Sequence, residues 1–223
     1  MGTISVINTN RLYWLGRYSE RVYTTLRIFC MSFEKLIEQF TEDYSEICRT
    51  LDIPNIYADK DDFIGRYAFS DEDPNSIISN LIRAYDNAIE LRDEIGSETL
   101  AYIQLALYSM RKAERTQNPV IEFQYVIDDI LAFWGIVDDQ IDDEDIRNII
   151  KVGKRVERLD LYARLKMGSA EIEREINRLI SRLAKSPLSY NHDRLEELMD
   201  LMVEGEEPDY QKIILAAEQL VEA

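Results

Sequence analysis

Apolar residues recur in steps of three and four through nearly every segment of this 223-residue chain, and no stretch sustains a period of two. That periodicity makes the expected fold all-α. Eight Gly and five Pro are too few for the turns of a sheet-rich fold, and 46% hydrophobic residues suffice for a core. In residues 8–40 the positions Leu12, Leu15, Tyr18, Val22, Leu26, Phe29, Phe33, Leu36 and Phe40 keep one helix face apolar, with Asn8 or Thr9 as cap. At 1.5 Å per residue that helix spans about 50 Å, a length suited to a multi-helix bundle.

A second helix is predicted over 42–51, and residues 52–72, with Pro54, Gly65 and several Asp, read as a connection. Asp73-Pro74-Asn75-Ser76 opens a helix capped by Ser76 or Asp73, with Ile77, Ile78, Leu81, Ile82, Tyr85 and Ile89 inward, ending near Gly96. Ser97-Glu98-Thr99-Leu100 starts another, to about Arg115. After Asn118-Pro119, residues 120–140 bury Phe123, Val126, Ile127, Ile130, Trp134 and Val137. A long helix over 144–167 precedes the C-terminal helices of 170–222: one carrying Ile172, Ile176, Leu179 and Leu183, then 191–203 and 208–222. The whole chain, 1–223, reads as a single helical domain.

Within this pattern one segment occurs twice. Gly16-Arg17-Tyr18-Ser19-Glu20-Arg21-Val22 returns as Gly153-Lys154-Arg155-Val156-Glu157-Arg158-Leu159, and Arg27 matches Arg164, eleven positions after each Gly. Gly, Glu and the later Arg stand at i, i+4 and i+11, along one stripe of a helix. A mid-helix Gly costs about 1 kcal/mol relative to Ala, so its repetition in the same register implies that something packs against it.

Charge separates these segments from the rest. The chain carries a net charge of −17, yet residues 11–27 hold four Arg and one acid, and 147–166 hold seven Lys or Arg and two acids. Residues 121–146 are their complement, with nine acids and no Lys or Arg. In one reading Glu20, Arg21, Glu157 and Arg158 form salt bridges inside the bundle, with the acidic segment as partner. In the other, the two motif helices pack side by side about a pseudo-twofold axis and present a cationic cleft for a carboxylate or phosphate group. The structural reading is preferred from sequence alone, because ion-pair networks also cluster charge.

Leu12-Tyr13-Trp14-Leu15-Gly16-Arg17-Tyr18-Ser19-Glu20-Arg21 resembles the N-terminal signature of the alpha-E family, a bacterial helical domain named for its Glu-Arg motif. Gly153 to Arg164, including Glu157-Arg158-Leu159-Asp160 and Ala163-Arg164, resembles its second signature. Asp73-Pro74-Asn75-Ser76-Ile77, Asn87-Ala88, Arg92 and Glu98 resemble the middle segment. Lys154 stands where the family usually has Arg, and Ile89 follows Asn87-Ala88 where Arg is usual. The resemblance implies association with ATP-grasp ligase-like and transglutaminase-like proteins. It implies a role as accessory or substrate-binding module of a peptide- or amide-forming system. The binding residues expected on this reading are Arg17, Glu20, Arg21, Arg27, Lys154, Glu157, Arg158 and Arg164, with Asn87, Arg92 and Glu98 as a second tier.

A rival comes from another class. Asp138-Asp139-Gln140-Ile141-Asp142 fits the Asp-Asp-x-x-Asp pattern with which a terpenoid-synthase-like enzyme holds Mg²⁺ and a diphosphate. The run continues into Glu144 and Asp145 and has no partner motif, so a solvated helix-start charge run is preferred. One His excludes a di-iron Glu-x-x-His bundle, and His192 reads as a surface residue. Cys30 reads as an inert core thiol. No P-loop or dinucleotide Gly-rich loop is present, and no cofactor is expected. The acidic balance argues against nucleic acid and anionic membranes as partners. The lack of a signal segment or apolar span points to the cytoplasm.

Overall fold

A computed structural model describes residues 4–38, 44–116, 119–201 and 208–221. Among them the helices are, in chain order, α1 (Val6–Glu38), α2 (Tyr44–Leu51), α3 (Lys60–Phe69), α4 (Ile77–Glu90), α5 (Arg92–Ile95) and α6 (Ser97–Glu114). They continue with α7 (Val120–Asp139), α8 (Glu144–Arg164), α9 (Ser169–Leu183), α10 (His192–Asp200) and α11 (Tyr210–Glu218). The described residues form no strand beyond one isolated bridge, Tyr190 to Val221. The fold is an all-α multi-helix bundle. No described helix is long and apolar enough to cross a membrane.

The chain divides into two compact units, residues 1–20 with 142–223, and residues 21–141. In the first, Leu12 and Leu15 of α1 and Ile149, Ile150, Val152, Val156 and Leu159 of α8 are fully buried. α9, the helix marked out by Ile172, Ile176, Leu179 and Leu183, adds these four buried residues. α11 packs on α8, where Arg164 Nη2 donates to Glu218 Oε1 at 2.7 Å, and the Tyr210 hydroxyl donates to the Met167 carbonyl at 3.0 Å. Asp143 caps α8 by accepting from the backbone N–H groups of Asp145 and Ile146.

The second unit is organised by aromatic rings. Phe63 stacks on Tyr67 at 5.2 Å and on Tyr44 at 5.3 Å between centroids, and Phe29 meets Phe123 edge-on at 5.8 Å. The Tyr57 hydroxyl donates to Asp73 Oδ2 at 2.7 Å. Burial, reinforced by that carboxylate, pushes the Tyr57 pKa far above the usual phenol range. All six positions expected to be buried on α7 are buried.

Several expectations need correction. Residues 60–69 are a helix, α3, and not part of a connection. Asp59 caps it by accepting from Asp62 N–H, Asp61 and Asp62 sit in its first turn, and Phe63 and Tyr67 bury one face. Gly65 points to open space and does not break it. Ser5, not Asn8 or Thr9, caps α1 by accepting from Asn8 N–H at 3.1 Å. Ile89 is exposed and Ile82 and Tyr85 are half-buried, so the inward face of α4 runs through Ile77, Ile78, Leu81, Ala84 and Ala88. Cys30 is half-buried, whereas Cys48 is the fully buried thiol. The side chains of Phe33 and Leu36, and residues Phe40, Asn118, 42–43, 202–203 and 222, lie outside the described residues.

Candidate functional site

The repeated glycines meet each other's helix. A Cβ on Gly16 would collide with the carbonyl oxygen of Ile150, and one on Gly153 with the carbonyl oxygen of Tyr13. Beyond those carbonyl groups the nearest atoms are the backbone nitrogens of Lys154 and Arg17 respectively, so the two contacts mirror each other residue for residue. Close backbone approach is what the mid-helix Gly permits.

Around that crossing the charged residues exchange partners. Arg17 Nε donates to Glu157 Oε2 at 2.7 Å. Arg158 donates through Nε and Nη2 to the two oxygens of Glu20, at 2.6 and 2.9 Å. Both carboxylates are completely buried. Each motif Glu therefore takes an Arg from the other copy. Of the acidic segment expected as partner, Glu122 pairs instead with Lys112, its Oε1 2.8 Å from Nζ. A two-oxygen fork of this kind fixes register, and removing one partner leaves a buried charge uncompensated at about 3–5 kcal/mol.

The electrostatics of the two copies differ. Burial works against the Arg17 charge, yet Glu157 beside it holds the pKa above the ordinary arginine value. The guanidinium also lies 5.1 Å from the Trp14 ring centroid and 5.9 Å from that of Tyr13. Lys154, at the matching position of the second copy, is pushed down to about 7. Burial is the main cause; Arg158, Arg155 and Lys151 add to it, and Glu20 opposes it.

The remaining sequence candidates fall in different places. Arg164 Nε donates to both oxygens of the buried Asp160, at 3.2 and 3.1 Å, and joins α8 to α11. Burial raises the Asp160 pKa, which Arg164 partly offsets. Its counterpart Arg27 is exposed and lies on its neighbour Tyr23, donating to the hydroxyl at 3.2 Å. Arg21 and Arg27 belong to the second unit, as do Asn87, Arg92 and Glu98. Arg92 Nε donates to Ser97 Oγ at 3.0 Å, and Glu98 is exposed. Asp138, Asp139 and Asp142 are all exposed, and among the described residues no three His, Cys, Asp or Glu side chains gather as a metal-holding group. The ring platform under Arg17 is absent from the sequence-based expectation. Its signal is the aromatic pair Tyr13-Trp14 standing four and three residues before Arg17, at helix-neighbour spacing.

A family model described as a predicted alpha-helical domain with a conserved ER motif matches residues 8–192. The chain belongs to the alpha-E family. The match covers α1 to the start of α10 and takes in both copies of the crossing. No curated protein and no solved structure matches the chain. In this alpha-E domain Glu20, Glu157 and Arg158 of the two Glu-Arg pairs interlock across the glycine contact, with Arg17 rather than Arg21 as the fourth member.

Proposed function

We propose that this alpha-E chain is a non-catalytic accessory or substrate-binding module, working in the cytoplasm beside an ATP-grasp ligase-like partner in peptide or amide formation. The reciprocal burial of Glu20 and Glu157 against Arg158 and Arg17 carries the reading. Side chains interlocked in this way make a rigid frame, and a rigid frame is what a module presenting a substrate to another enzyme needs. The ligase link is supported by the association that the resemblance implies, and transglutaminase-like proteins are further partners on the same ground.

The carboxylate or phosphate group would be received at the α8 side of the crossing. Lys154 and Arg158 are half-buried there, whereas Arg17 is enclosed. Glu20 and Glu157 orient the arginines. An ATP-grasp enzyme activates carboxylates as acyl phosphates, so cations that hold either group suit its substrates.

The test is co-purification of the chain with a neighbouring ATP-grasp ligase-like protein, followed by amide formation by the pair. A stable pair whose activity falls when Arg158 or Arg21 is changed to Ala supports the module. Folded Arg158→Ala and Arg21→Ala proteins with unchanged complex formation and activity would remove the cationic site from the proposal.

A further inference from the structure

Outside the crossing, α8 and α9 border an open groove of about 410 Å³ lined by Arg155, Arg174, Asn177, Arg178, Ser181 and Arg182. We propose that this groove binds a compact phosphorylated small molecule, with the four arginines as its phosphoryl contacts. The inference concerns the isolated chain and does not depend on a ligase partner.

On α9 the lining residues stand at i, i+3, i+4, i+7 and i+8, one continuous stripe, so Arg174, Arg178 and Arg182 follow one another by a helical turn of about 5.4 Å. Arg155 of α8 joins them in the lining. A single carboxylate serves two of these cations: Glu175 accepts from Arg155 Nη1 at 2.7 Å and from Arg178 Nη1 at 2.6 Å. Arg182 Nη1 donates to the neutral amide oxygen of Asn148 at 3.1 Å, and Arg174 stands 3.9 Å from Glu171. Positive charge therefore remains in excess. The Nε of Arg155 is buried with no hydrogen-bond partner among the described residues, so its pairing with Glu175 leaves part of the guanidinium unsatisfied. Lys151 nearby is pushed down to about 8, by burial first and then by Arg182 and Arg155.

Size and charge choose the ligand class. The volume falls in the range of small-molecule sites, and a chain of net charge −17 repels a long polyanion. Several guanidinium forks one turn apart match the oxygens of linked phosphoryl groups better than a lone carboxylate.

Isothermal titration of the full chain with inorganic pyrophosphate at low ionic strength provides the test, with inorganic phosphate and glutarate as comparisons. Pyrophosphate is expected to bind more tightly than either. Arg174→Gln with Arg178→Gln, both about half exposed, should weaken it by about tenfold or more at an unchanged unfolding midpoint. Ser181→Glu, which removes no arginine, should weaken it as well. The proposal is overturned by no pyrophosphate binding at millimolar concentration, by undiminished binding in the variants, or by glutarate or a single-stranded oligonucleotide binding as tightly. Any of these results leaves the accessory-module reading standing, because the titration contains no ligase.

Discussion

The copy of the motif on α1 and the copy on α8 share glycine contacts and buried glutamates, yet treat their cations differently. Arg17 is enclosed by Glu157, Trp14 and Tyr13, and its charge is held more firmly than that of a free arginine. Lys154 occupies the same register and gives up its proton near neutrality. Duplication thus supplies a symmetric backbone contact, while the side chains around it have diverged. The Gly and Glu positions answer to geometry that both helices must share, whereas the cation positions answer to local burial.

The symmetric part should break hardest. Glu157→Ala strands the enclosed Arg17 guanidinium, and Glu20→Ala strands Arg158. Each is expected to lower unfolding stability by about 3–5 kcal/mol in urea denaturation. Glu157→Ala should stand at the upper end, since Arg17 is the more buried cation. A loss below about 1 kcal/mol at both sites would mean that the pairs do not hold the helices together.

Next in size come the glycines. Ala at Gly16 or Gly153 gains about 1 kcal/mol of helix propensity but forces its Cβ into a backbone carbonyl, for a net loss of about 1–3 kcal/mol. Mirror-image contacts imply similar losses at the two sites. Gly135 on α7 has open space at its Cβ position, and Gly135→Ala should instead raise stability by about 0.5–1 kcal/mol. Thermal denaturation of the three variants side by side checks both signs.

Much of this frame is readable from the chain itself, for identifiable reasons. Helices announce themselves through the 3.6-residue period, and a Gly repeated in register with Glu-Arg foretells a close helix contact. The partner of each charge is harder to read, because composition draws attention to the nearest acid-rich segment while tertiary contact selects an acid more than a hundred residues away. Glu157 and Glu20 face arginines from the opposite end of the sequence. Gly65 and Pro54 make residues 52–72 look irregular, although the Asp59 cap and the Phe63–Tyr67 ring pair outweigh them. The arginine stripe of α9 lies outside the repeat, and only its i, i+4, i+8 spacing could have marked it.

The divergent cation gives a pH-dependent prediction. Folded Lys154 releases its proton near 7, while in the unfolded chain it keeps it to about 10.4. Between those values the unfolded state binds the extra proton, so this residue makes stability rise with pH across that window and contributes no slope below it. Lys154→Met should remove the rise. The gap in unfolding free energy between wild type and variant should shift by roughly 1–2 kcal/mol from pH 7 to 10, limited by the solvent access that Lys154 retains. Parallel lines for the two proteins over that range would show that Lys154 keeps an ordinary amine.

The smallest effect belongs to the residue that the repeat alone would rank with the others. Arg27 matches Arg164 in register, but it is exposed and rests on Tyr23 of its own helix. An exposed contact between near neighbours on one helix adds little, because water solvates the guanidinium about as well. Arg27→Ala should change unfolding stability by less than about 0.5 kcal/mol. The same truncation at Arg164 deprives buried Asp160 of both its donated hydrogen bonds and detaches Glu218, and must exceed it. Equal losses at the two positions would mean that the motif's last arginine does the same work in both copies. The repeat would then extend further along the helices than the crossing.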